Sequence, residues 1–133
     1  MDTIDTPTAA LTFATLPALG ADLDGGTFYG LTTDKAGAHC AVVLLPARSE
    51  QRLTWKQAGA WAAKQGGALP TRPVSALLYA LAKDRIEADW YWTSDAFDGS
   101  YAWLQLFLSG FQYDFPKSYE GRAVAVRLIQ LSA

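Results

Sequence analysis

The fold class this 133-residue sequence predicts is α+β, and three observations predict it. Strand-like runs fill the first and last thirds of the chain. Two amphipathic helical stretches lie between them. The order is therefore strands, helices, strands, without the β-α-β alternation that builds a parallel sheet. The length suits one domain with a core of its own. We expect two helices packed on a small, twisted, mainly antiparallel sheet. Residues 1–26 would form an arm or a first strand, and residues 27–133 the domain.

Residues 1–26 are rich in Thr, Ala, Pro and Gly, with Asp24-Gly25-Gly26 as a turn. Residues 27–33 (TFYGLTT) read as a strand and 34–38 as a turn. Residues 39–45 (HCAVVLL) read as the hairpin partner, stopped by Pro46. Thr54-Trp55-Lys56-Gln57 fits a capping box, in which the Thr hydroxyl and the Gln amide satisfy free backbone N–H groups. Ala58, Trp61, Ala62 and Gln65 follow at helical spacing, and Gly66-Gly67 ends that helix. After an extended link at 69–73, Val74, Leu77, Leu78 and Leu81 mark the apolar stripe of a second helix, ending near Arg85. Residues 90–94 form a strand and 95–100 a loop. Residues 116–121 are a further loop, and 123–128 (AVAVRL) the last strand.

Between those loops lies the most apolar stretch, YAWLQLFLSGFQYDF over 101–115. Ser109-Gly110 is a two-residue hairpin signal. That turn pairs Leu108 with Phe111, Leu106 with Tyr113 and Leu104 with Phe115, so these six share one face. The other face carries Trp103, Gln105, Phe107, Gln112 and Asp114. A hairpin with one wholly apolar and one mixed face is either covered on both sides or open for binding.

Composition excludes several function classes. Net charge is −2, from 11 basic and 13 acidic residues mixed along the chain, so no basic stripe points to nucleic acid. The single Cys40 and single His39 supply neither a disulfide framework nor a Cys- or His-rich metal site. Neighbours on a strand point to opposite faces, so these two do not form a nucleophile–base pair; a buried core Cys is expected. No run is long enough to span a membrane. The start, MDTIDTPT, lacks the basic and apolar regions of a secretory signal. A cytoplasmic product, or a component of a virion assembled there, is expected.

Several motifs occur in order: TWxxAxxWA (54–62), GGxLPTR (66–72), LLYA (77–80), WYWTS (90–94), AWxQxFxxGxQ (102–112) and KSxEGRAVAVR (117–127). Together they resemble the small C-type-lectin-fold domains of phages and prophages, distant relatives of the formylglycine-generating-enzyme fold. The resemblance spans roughly residues 27–128. It implies a C-type-lectin-like fold in which Trp103, Gln105, Phe107, Gly110 and Gln112 are frame. Leu104, Leu106, Leu108, Phe111 and Tyr113 would be the free positions. In retroelement-diversified members such positions form the variable, ligand-contacting surface. The sequence departs from the pattern at Val74, where a Glu is usual; Thr71 with Pro73 in the first turn would cap that helix instead. The 95–100 loop is short, and Leu128-Ile129-Gln130 replaces a more basic end.

The resemblance does not carry over formylglycine-generating chemistry, which needs cysteines near the domain's end. Calcium-dependent sugar binding has no support in EPN, QPD or WND motifs, and the chain contains no Asn. Asp95, Asp98 and Asp114 are read as scattered surface acids. Arg72, Arg122 and Arg127 are read as framework donors. The expected function is non-catalytic binding of a protein partner of host or phage, without metal or cofactor. Leu104, Leu106, Leu108, Phe111, Tyr113 and Phe115 would make the contact, joined by Tyr101 and Tyr119. Asp98, Asp114, Lys117 and Arg122 would be the polar rim. The roles weighed are a tail or receptor-binding accessory, a small intracellular inhibitor of a host defence system such as a CRISPR effector, a homodimer through the same face, and a metal-dependent enzyme on the same fold.

Overall fold

The computed structural model describes residues 10–132 and shows an α+β fold of seven strands and two α-helices. A four-stranded antiparallel sheet has the order β1-β2-β3-β7, from β1 (Asp22–Leu23), β2 (Gly26–Thr33), β3 (His39–Arg48) and β7 (Val124–Gln130). A three-stranded antiparallel sheet has the order β4-β5-β6, from β4 (Trp90–Ala96), β5 (Tyr101–Leu106) and β6 (Gln112–Pro116). The helices are α1 (Trp55–Lys64) and α2 (Arg72–Ala82), the latter followed by a 3₁₀ turn at Lys83–Arg85. The part of the predicted arm over 1–9 lies outside the described residues. Residues 10–26 strap onto the four-stranded sheet: Phe13 packs on His39, and Ser132 N–H donates to Leu11.

Local chemistry explains most boundaries. Asp24 and Gly25 both have positive φ (+49° and +83°), the requirement of a type I′ turn joining β1 to β2. Thr54 caps α1 in a full capping box with Gln57, and Thr71 caps α2 with a proline in its first turn. The strand over 39–45 continues through Pro46 to Arg48, because register breaks between Leu44 and Arg48 and leaves the proline at a bulge. On α2, Val74 and Leu78 are buried, Leu77 is half-buried and Leu81 is exposed.

Two apolar clusters form the core. One joins Val42, Leu44, Leu78, Tyr91, Phe107 and Val124 beside α2. The other joins Val43, Leu45, Ala58, Ala62, Trp92, Leu104 and Ala125 beside α1. Alternate residues of β3 enter alternate clusters, so both faces of this strand are covered, which explains its unbroken apolar run. Among the described residues no helix is long and apolar enough to cross a membrane.

Candidate binding face of the hairpin

The β5–β6 hairpin has a longer connection than the Ser109-Gly110 turn predicts. Leu104 pairs with Tyr113, Gln105 with Gln112 and Ala102 with Phe115. Leu106 N–H donates to Phe111 O and Gly110 N–H donates to Leu106 O, at 2.8 and 2.7 Å, so residues 107–110 form the loop. A two-residue primed turn needs positive φ at its first central position, and Ser109 does not adopt it. Gly110 does take positive φ, +84°, and its Cα lies against Tyr79, where a Cβ would stand 2.8 Å from the ring. The register therefore differs by two residues, which preserves which side chains share a face. It also lifts Leu108 out of the ladder to the loop tip and lets Phe107 bury between Tyr79 and Tyr91.

The apolar face is half covered. Leu104 is completely buried and belongs to the core rather than to a contact surface. The backbone of Gly121 lies directly on it: a Cβ there would stand 2.9 Å from Leu104 Cδ2. The covering loop is held by the Leu53–Gly121 bridge, by Trp92 Nε1–H donating to Leu53 O, and by Trp55 N–H donating to Lys117 O. Phe115 and Tyr119 are half-buried and pack edge-on at 4.8 Å beneath this loop.

Away from the loop the same face opens. Leu108 is 69% exposed, Phe111 60% and Tyr113 49%. Leu106 is half-buried between them and the core. Ring contacts run from Phe111 to Tyr113 (6.1 Å), Trp90 (5.8 Å), Phe115 (5.0 Å), Tyr119 (4.8 Å) and the buried Trp92 (6.3 Å). This ladder anchors the exposed rings on the core. Trp90 and the buried Trp92 are the members missing from the predicted contact set, although their two-residue alternation signals a shared face.

Asp89 fixes the base of the ladder. Its carboxylate accepts from Trp90 N–H at 2.7 Å, from Arg52 at 2.6 Å and from Arg122 Nε at 2.8 Å. Burial pushes this carboxyl up, but the Trp90 amide and the two guanidiniums outweigh it and hold it below the usual range. Nearby, Tyr91 OH donates to Glu87 at 2.7 Å; this bond lowers the Glu87 carboxyl, while burial, and then Glu87, raises the phenol.

The opposite face is a polar frame. Arg72 lies 3.6 Å over the Trp103 ring and donates from Nε to Gln112 Oε1. Gln112 Nε2 donates to Gln105 Oε1 and to Arg72 O at 2.7 and 2.9 Å. Three predicted contact residues belong on this side or in loops. Tyr101 is exposed but points away from the apolar face, as does Asp114, which pairs with Trp103. Asp98 accepts from the N–H groups of Ser100 and Tyr101, building its own turn. Both rim cations are engaged elsewhere: Lys117 sits over Trp55 and Arg122 binds Asp89. Arg72, Arg122 and Arg127 are framework donors; Arg127 bonds Gly66 O and Asp24.

Cys40 is buried with its thiol pushed up by burial and then by Asp34, while His39 is exposed on the other side of β3. Among the described residues no three His, Cys, Asp or Glu side chains gather as a metal site. Comparison with protein-family models and with curated proteins finds no match.

Proposed function

We propose that this chain is a non-catalytic protein-binding module of the C-type-lectin-like kind, of phage or prophage origin, that binds its partner through the open end of the hairpin face. The observation that carries this reading is the exposure of Leu108, Phe111 and Tyr113 on one hairpin, with two of them stacked onto a ladder rooted in the core. Exposed apolar clusters of this kind mark partner sites. Rings already held in place lose little freedom on binding, so more of their burial reaches the affinity. Three of the five positions that the motif resemblance assigns to ligand contact, Leu108, Phe111 and Tyr113, are the most exposed large apolar side chains of the hairpin.

The test is affinity capture from a bacterial lysate, comparing the wild-type chain with Phe111→Asp/Tyr113→Asp. The wild type retains a protein that the double variant loses, while both melt at similar temperatures. Capture of the same proteins by both, or of none by the wild type, contradicts the proposal.

A further inference from the structure

Resting on that binding reading, we propose that the partner contributes an extended segment that adds to the outer edge of β6 as a fourth strand, with apolar residues alternating with Lys or Arg. Among the described residues β6 ends its sheet, and β5 is its only paired neighbour. The bonds from Leu106 N–H to Phe111 O and from Lys117 N–H to Ser100 O show that odd-numbered residues turn their backbone groups toward β5. Gln112 and Asp114 therefore turn theirs outward, and among the described residues neither amide finds an acceptor. Two other edges are closed. β4 is sealed by Arg122 and Pro70, through bonds at Trp90, Trp92 and Ser94, and β7 is bridged by Ala68 at Val126.

The side chains flanking this edge specify the partner. Tyr113 and Phe115 lie on the apolar face, so every second residue of an added strand meets the aromatic ladder. The intervening residues meet the other face. There Asp114 has no ion-pair or hydrogen-bond partner among the described residues, and the Arg72 guanidinium lies over Trp103 and bonds Gln112. A cleft of about 480 Å³ opens beside Gln112, between Arg72, Pro73, Asp95 and Gly110. Asp95, whose carboxylate accepts from Arg72 N–H at 2.7 Å, and Asp114 together outweigh the single Arg72 guanidinium, so that side is net negative and favours a basic side chain across the strands. Pro116 takes the next outward position and has no N–H, so the open row is short and an added strand pairs at Gln112 and Asp114.

The probe is a displayed library of short random peptides selected on the intact chain. The expected winners alternate apolar and basic residues. Their binding weakens about tenfold in Asp114→Pro, which removes an outward N–H that the fold does not use. Asp114→Asn keeps the edge and weakens only the basic peptides. Amide exchange of the wild type gives a readout independent of how the proline variant folds: Gln112 and Asp114 become protected when a selected peptide binds. Peptides that need Tyr113 but leave both amides unprotected overturn the strand addition and leave the binding face standing. Selection of no peptide at all overturns it as well. Self-association lost in Asp114→Pro assigns the edge to a second copy and likewise overturns it.

Discussion

Asp89 shows how one carboxylate sets the geometry of a binding face it does not join. It holds the Trp90 amide and two guanidiniums, and its main-chain oxygen accepts from Phe107 N–H. Because its folded-state pKa is depressed, its contribution is fully present above the unfolded-state value of about 4. It is lost as pH falls through the lower folded value. Asp89→Asn is expected to lose about 1–3 kcal/mol at neutral pH. Its melting temperature should fall less steeply than that of the wild type between neutral pH and strong acid. Parallel acid-side slopes in thermal melts of the two proteins would contradict this role. The Arg–Asp pairs were not legible in the sequence, because Arg52, Asp89 and Arg122 come from three separate segments. The sequence reads Arg72, Arg122 and Arg127 as framework donors and each donates to a distant segment, although Arg122 is also expected in the polar rim.

At the level of elements, caps and periods were readable and coverage was not. Thr54 with Gln57, and Thr71 with Pro73, fixed both helix starts from patterns of four and three residues. Two-residue alternation sorted the hairpin's faces correctly even though the turn was misplaced, because a two-residue difference in register keeps the faces. Local pattern cannot tell which part of a face is covered when the cover arrives from Leu53 and Gly121, far along the chain. The pattern leaves Leu104 open between core and surface; the motif resemblance assigns it to the surface, and it is core. Leu104→Ala should cost about 2–5 kcal/mol, as large-to-small changes in packed cores do. Leu108→Ala should stay within about 0.5 kcal/mol, as exposed positions do. Equal effects of the two in denaturant unfolding would restore the two-residue turn.

For the whole molecule, the two sheets and two helices make a mount whose apolar hairpin face is closed at one end and open at the other. The closed end gives the ladder its anchor in Trp92, and the open end presents Leu108, Phe111 and Tyr113. The α+β class and the order of elements followed from the sequence, since strand and helix periods are local. The partition into two sheets did not, because it depends on which strands meet across the helices. The most direct test of the account is hydroxyl-radical footprinting of the chain alone and with its captured partner. Protection concentrated on Leu108, Phe111 and Tyr113, with Leu104 unreactive in both states, is the predicted result. Protection that falls elsewhere and leaves Phe111 and Tyr113 as reactive as in the free chain would contradict it.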